Sequence, residues 1–305
     1  MVSIVTKKIK GKEYLYLVTS IRKKQKVIQK TIKYIGKKRP ILNEEFECMK
    51  QSYKKEDIIL NGFEDYLSYQ DHESMKMASN NYKDMLKNLD TISKEKEKEK
   101  FLSTFIANSN AIEGSTITPK ETFDYLFNDI SPKGHKKKEL HMVSNLMNAW
   151  NYLEKNYKRI PNKIDLCILH KLVNQNIETE QTLGKYKKVQ NYVGDVYTTS
   201  YLFVDDNMKF LLKWINKAFK KINDFEVVFQ SHAQFEIIHP FVDGNGRVGR
   251  LLMNWLLMNK NLAPIAIPVN KRSDYISALN NSRKGKVEAI SNFCFKVYLG
   301  QYKFM

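Results

Sequence analysis

The chain has 305 residues, 42% of them apolar, and a formal charge of +18. Its length allows one large core or two ordinary ones. Its few glycines and prolines (12 and 7) exclude a collagen-like or low-complexity chain and favour a mainly helical one. No stretch of 18 apolar residues occurs, and the N-terminal MVSIVTKKIKGKEY has no apolar signal core. A membrane-spanning or secreted protein is therefore not expected, and a cytoplasmic one is. The charge makes anionic partners plausible, though lysine-rich helices also simply keep a protein soluble. Cys48, Cys167 and Cys294 are too widely spaced for a disulfide framework or a zinc motif.

Residues 1–40 alternate β-branched and aromatic residues in SIVTKKIK, EYLYLVTSI and KVIQKTIKYI, which predicts a three-stranded antiparallel meander. Glu13 is its only acid, against thirteen lysines and arginines. One face could follow a phosphate backbone, with Tyr14, Tyr16 and Tyr34 stacking on bases. Alternatively, this is a small sheet docked on helices with a solvated basic face. Residues 41–100 read as a charged helical region or linker ending in SKEKEKEKEK. Residues 101–285 carry strong helical periodicity and form the expected core, with 286–305 as a C-terminal helix packed on it. The exception is 183–204, where Gly, Tyr, Val and Thr predict a hairpin between helices.

The densest chemistry lies in HPFVDGNGRVGR, residues 239–250, followed by the apolar LLMNWLLM. Pro240 ends the preceding helix, and Gly244 and Gly246 allow a tight turn at the start of the next. Free N–H groups at a helix start favour an anion. Arg247 and Arg250 share a helix face, so two guanidiniums beside such a nest suit a polyphosphate. Asp243 offers a hard oxygen to Mg²⁺, and His239 can take a proton from a hydroxyl. His170 and His232 read as structural histidines on apolar faces.

These residues resemble the signature of Fic-domain proteins, His-x-Phe-x-(Asp/Glu)-Gly-Asn-Gly-Arg-x-x-Arg, at every defined position. The resemblance implies a Fic-type helical core with a β-hairpin flap, and transfer of AMP from ATP to a Ser, Thr or Tyr hydroxyl of a target protein. It makes His239 the general base and Asp243 the ligand of Mg²⁺ or Mn²⁺. It assigns the α-phosphate to Gly244, Asn245 and Gly246, and the outer phosphates to Arg247 and Arg250. Gly244, where phosphotransferase relatives carry Lys, points to nucleotidyl transfer. Ser109-x-x-x-Glu113-Gly114 is similar to the family's inhibitory-helix motif, which implies that Glu113 pairs with Arg250 and blocks productive ATP. In some relatives such a glutamate also helps to remove AMP. Gly184, Tyr186, Lys187 and Val189 correspond to the target-binding flap, and Tyr275 and Leu279 to the adenine pocket. Homodimers are common in the family. Two further readings stay open: a same-fold transferase using another nucleotide or phosphodiester donor, and a nucleic-acid-binding regulator acting through residues 1–40.

Overall fold

The computed structural model describes residues 1–23, 26–60, 62–194 and 196–303, apart from the side chains of residues 23 and 26. The N-terminal meander forms as expected: β1 (Val2–Ile9), β2 (Lys12–Lys23) and β3 (Lys26–Lys37) pair antiparallel in that order. Lys10 and Gly11 join β1 to β2 with φ of 47° and 76°. Two successive left-handed residues give the turn whose twist matches that of the flanking strands. Leu15, Leu17 and Ile35 lie on one face of this sheet and pack against Met49 and Phe203. Met49 belongs to the first helix, α1 (Asn43–Lys54).

Ten further α-helices follow among the described residues. The first four are α2 (Tyr69–Asn88), α3 (Thr91–Ile112), α4 (Pro119–Phe127) and α5 (Lys137–Asn156); α6 (Lys163–Asn174) comes next. After the short strands β4 (Tyr192–Val193) and β5 (Val196–Tyr197) come α7 (Val204–Ala218), α8 (Asp224–Ile238) and α9 (Asn245–Asn259). The chain closes with α10 (Arg272–Arg283) and α11 (Glu288–Tyr302). The centre is α8, buried at every position from Phe225 to Ile238 and packed by α7, α9, α10 and α11. α8 keeps no solvent face, and buried polar side chains such as Glu226, Gln230 and Gln234 are satisfied by hydrogen bonds inside the protein. No helix among the described residues is long and apolar enough to cross a membrane.

One buried acid shows how the N-terminal half is fixed to this core. Glu226, on α8, is fully buried and accepts bonds from the Tyr66 and Leu67 amides at 2.8 Å, from Gln230 at 2.8 Å and from Ser291 at 2.6 Å. Burial alone would raise its pKa, but the nearby His72 ring, 3.8 Å away, and hydrogen bonds from Gln230, Ser291 and Leu67 outweigh it and hold the group below the usual range. The carboxylate therefore anchors the loop before α2 and the helix α11 at once.

Two boundaries differ from the sequence reading. The charged run does not separate domains: α3 runs unbroken from Thr91 to Ile112, so the expected 100/101 boundary falls inside a helix. Asp90 caps its start, accepting from the Ile92 and Ser93 amides at 2.8 and 3.0 Å, and Lys and Glu propagate a helix well. The expected hairpin over 183–204 shrinks to the two-residue strands β4 and β5. Side chains hold the rest of that segment, as described below.

Candidate active site

The loop between α8 and α9 is shaped by its own side chains. His239 takes a left-handed conformation (φ 50°) that closes α8, its N–H donating to Phe235 O at 2.9 Å. Phe241 is buried and stacks on His170 with ring centroids 4.0 Å apart. Asn245 clamps the turn: its Oδ1 accepts from the Phe241 N–H at 2.8 Å and its Nδ2 donates to Phe241 O at 3.0 Å. Gly244, at φ 72°, then starts α9, and the first intrahelical bond runs from Val248 N–H to Gly244 O. The amides of Asn245, Gly246 and Arg247 precede that bond and lie at the positive end of the helix dipole.

Around this helix start stand the charged groups. Burial and the nearby Lys187 charge push His239 down to about 4, so its imidazole is neutral at pH 7. Its Nδ1 is buried and faces Glu236 Oε2 at 3.8 Å, which leaves Nε2 as the nitrogen open to a hydroxyl. Arg250 is 2% exposed and is bound by the end of α3 and by Glu113 just beyond it. Its Nε donates to Ser109 Oγ at 2.8 Å, and its Nη2 donates to Ser109 O at 2.8 Å and to Glu113 Oε1 at 2.7 Å. Burial would lower the Arg250 pKa, but the Glu113 carboxylate outweighs it and the net direction is up. Ser109 and Glu113 are four residues apart, so one helical turn presents both to one guanidinium. Gly114 follows at φ 98°, ending that helix.

The Glu113 carboxylate also lies directly over the start of α9. A methyl group on Gly246 would collide with Glu113 Oε1. The positive end of α9 is thus covered by a carboxylate of the chain itself. Beside it, Asp243, Arg247, Lys136 and Lys138 line a cavity of about 380 Å³ that Glu113 also borders. Asp243 is exposed, with Oδ1 accepting from the Gly244 N–H at 2.6 Å. Among the described residues no three His, Cys, Asp or Glu side chains come together as a metal cage. A Mg²⁺ ion bound by Asp243, phosphate oxygens and water fits this arrangement, since Mg²⁺ commonly uses only one or two carboxylates.

Residues 161–257 match the model of the Fic/DOC family. The chain carries a Fic domain. Over 198 residues it is 26% identical to protein adenylyltransferase fic-1 of Caenorhabditis elegans, covering 63% of this chain and 39% of that protein. Over 192 residues it is 29% identical to protein adenylyltransferase Fic of Nematostella vectensis, covering 62% of this chain and 45% of that one. The chain thus spans less than half the length of these curated relatives. Its fold is similar to the solved structure of Fic-1 from C. elegans (TM-score 0.65, 21% identity, 76% of this chain and 71% of that chain). It is also similar to a Fic domain containing signaling protein from Bacteroides thetaiotaomicron (TM-score 0.66, 20% identity, 75% and 94%).

Not every residue expected at the Fic site is free to meet a ligand. The Asn245 side chain, expected on the α-phosphate, has both its polar atoms taken by the Phe241 backbone, so its amide N–H is what remains for an anion. Three of the four expected flap residues face inward. Gly184 (φ 68°) packs on α6 and donates its N–H to His170 Nδ1 at 2.9 Å, and Tyr186 packs against Phe241. Lys187 is 3% exposed; its Nζ donates to Thr198 Oγ1 at 2.5 Å and Asn191 Oδ1 at 2.6 Å, and its N–H donates to Pro240 O. Burial pushes the Lys187 amine down to about 7. These bonds fasten the segment to the motif loop and replace the longer strand ladder the sequence suggested. Of the four, Val189 alone is exposed. Tyr275 is likewise buried, its hydroxyl 2.6 Å from His232 Nε2 and its ring stacked on the same imidazole; Leu279 is partly buried against the core. Tyr275 is therefore a packing group held against His232 of α8 and Phe293 of α11.

Of the two residues that brace the Fic loop, His170 was read from the sequence as structural, whereas Asn174 escaped that reading. Asn174 accepts from Arg247 Nη2 at 2.9 Å and donates to Asp243 O at 3.3 Å. His170 Nε2 lies 3.1 Å from Asp243 O, and burial pushes this imidazole down to about 4, so it acts as a neutral donor there. Their spacing of four on the otherwise apolar α6 was the available signal, since it puts both on one face. Gly244 lies so close to Asn174 that any Cβ would overlap its Nδ2. Gly244→Ala should therefore destabilise the fold by about 2 kcal/mol, from left-handed strain plus overpacking. Urea unfolding checks this; an unchanged midpoint would show that Asn174 does not brace the turn.

Proposed function

We propose that the chain transfers AMP from ATP to a hydroxyl of a target protein, and that Glu113 holds this reaction off. The observation that carries the reading is the position of Glu113: its carboxylate pairs with Arg250 and covers the Gly246 end of α9, where a triphosphate would bind. The names of the relatives support the chemistry.

In this reading the free amides of Asn245 and Gly246 receive the phosphates, the Gly244 N–H being held by Asp243 Oδ1, and Arg247 and Arg250 bind the outer ones. Asp243 holds Mg²⁺, which offsets phosphate charge. His239 Nε2 takes the proton of the target hydroxyl; that oxygen attacks the α-phosphorus and pyrophosphate leaves. The target docks beside the motif, where Val189, Tyr192, Val196 and Val242 expose apolar surface next to the β4–β5 edge. With Glu113 in place, Arg250 is taken and productive ATP is excluded. A second reading rests on the same carboxylate. Lying over the phosphate position, Glu113 is placed to orient a water for removal of AMP from a modified protein. Intact-mass spectrometry of the Glu113→Gly protein after incubation with ATP and Mg²⁺ tests the proposal: AMP-sized additions are expected, and their absence from the chain and from any added protein, with ATP bound, would refute it.

The base assignment has its own pH signature. An imidazole in an unfolded chain takes its proton at about 6.5, whereas burial holds folded His239 down to about 4. The folded state therefore binds fewer protons, and the contribution of His239 to stability declines as pH falls from 6.5 toward 4. The His239 imidazole resonances, assigned by difference from His239→Asn, should keep neutral-form shifts down to about pH 5. A midpoint near 6.5 would contradict the buried neutral base.

A further inference from the structure

The outer face of the N-terminal sheet takes no part in the Fic site, and its chemistry is distinctive. Residues opposite one another on antiparallel strands share a face. The register places Ile9 opposite Lys12, Tyr14 between Lys7 and Lys37, and Tyr16 between Val5 and Tyr34. Tyr34 is 52% exposed, and its ring lies 6.1 Å from that of Tyr14 and 5.3 Å from that of Tyr16. Lys7 Nζ lies 4.7 Å over the Tyr16 ring. None of the three tyrosines belongs to either apolar cluster; the sheet docks through its other face, Leu15, Leu17 and Ile35. The tyrosines thus pack across the strands on one another and on Lys7, away from the docked face.

The charge around them is equally one-sided. The ion pairs of this region run elsewhere: Lys33 to Asp206, Lys38 to Glu13 and Arg39 to Glu45. Lys7, Lys12 and Lys37, on the tyrosine face, are exposed and make no ion pair among the described residues. Beyond Thr19, where β1 stops pairing, β2 and β3 continue as a two-stranded ribbon that carries exposed Arg22 and has exposed Lys30 at its base, opposite Thr19.

We propose that this face binds single-stranded nucleic acid. The three clustered phenol rings offer stacking surfaces for successive bases, and the flanking lysines and the basic ribbon follow the phosphate backbone. A polyanion without bases would use the lysines and leave the rings unused. A duplex would present its backbone but keep its bases stacked on each other. The proposal is independent of the adenylyl-transfer reading, because no residue of the Fic site contributes.

The test is fluorescence anisotropy of a labelled oligothymidylate of about fifteen nucleotides with the full chain, at about 50 mM salt and above. A duplex of the same length and heparin serve as competitors. Wild type is expected to bind the single strand with quenching of tyrosine emission. It should prefer the single strand to the duplex, and affinity should fall linearly in log–log salt. Tyr16→Leu/Tyr34→Leu keeps apolar bulk and should weaken the oligonucleotide about tenfold while leaving heparin affinity unchanged. Lys7→Gln/Lys37→Gln, on exposed positions, should reduce the salt slope. No binding at low salt, tighter binding of the duplex, or equal affinity in wild type and the tyrosine variant with an unchanged melting temperature would each overturn the proposal. If the tyrosine variant does not fold, quenching of wild-type tyrosine emission by the oligonucleotide but not by heparin decides: without that difference the stacking face is refuted.

Discussion

Glu113→Gly should raise the rate of AMP incorporation at least about tenfold, a coupling typical of two states competing for one site. Wild-type Arg250 has its Nη2 shared between Glu113 and Ser109 and its Nε on Ser109. Removing the carboxylate frees one side of the guanidinium and uncovers the start of α9. ATP then gains both a cation and the helix amides. The same change should lower stability slightly. Arg250 is 2% exposed on its side chain, while Glu113 is 34% exposed, so solvent already screens part of the pair. A loss of about 1 kcal/mol is expected, less than for a fully buried pair. Steady-state incorporation of labelled AMP and urea unfolding, run on the same preparations, check both signs. A variant that is less stable yet no more active would mean that the Glu113 contact is merely structural.

His239→Ala in the Glu113→Gly background should lower incorporation by about 10²–10⁴-fold, the range for losing a general base, with ATP affinity unchanged. The imidazole is neutral because burial and Lys187 press its pKa down to about 4, so no proton needs to be lost before it acts at pH 7. The residue is also structural, since at φ 50° it closes α8. Ala tolerates that conformation poorly, so His239→Asn is the companion variant; Asn accepts left-handed backbone and cannot serve as a base. If both variants bind ATP but transfer AMP at the parental rate, the proton acceptor lies elsewhere. A loss of ATP binding in both would instead show that the imidazole shapes the nucleotide site.

The legible parts of this protein were those with short-range order. The meander could be read from alternation, although its first turn falls at Lys10-Gly11 and not at Gly11-Lys12, and α8 and α9 could be read from their apolar runs around Pro240 and the glycines. The Ser109–Glu113–Arg250 contact spans 137 to 141 positions, and no local period reports such a pairing; only the resemblance named it. Residues 183–190 were harder. Irregular backbone has no periodicity, so nothing in LGKYKKVQ says that Tyr186 and Lys187 turn inward while Val189 stays out. Lys187 is buried because Asn191 and Thr198 happen to surround its amine, which only the fold reveals. The place of Asn245 on the α-phosphate came from the resemblance alone, and nothing in the sequence says that its side chain bonds to the backbone of Phe241. The charged segment before residue 101 looked like a linker because Lys and Glu both solvate and propagate helix; the Asp90 cap and the packing of α3 on α4, α5 and α9 decide for one long helix.

The position of the label tests the central claim most directly. The Glu113→Gly protein is incubated with Mg²⁺ and ATP labelled either at the α- or at the γ-phosphorus, and protein-bound label is counted after denaturation. Nucleotidyl transfer by His239 predicts incorporation from α-labelled ATP alone, lost in Glu113→Gly/His239→Asn. Label from γ-labelled ATP alone would mean phosphoryl transfer, and no label from either in a protein that binds ATP would contradict the adenylyltransferase reading of this Fic site.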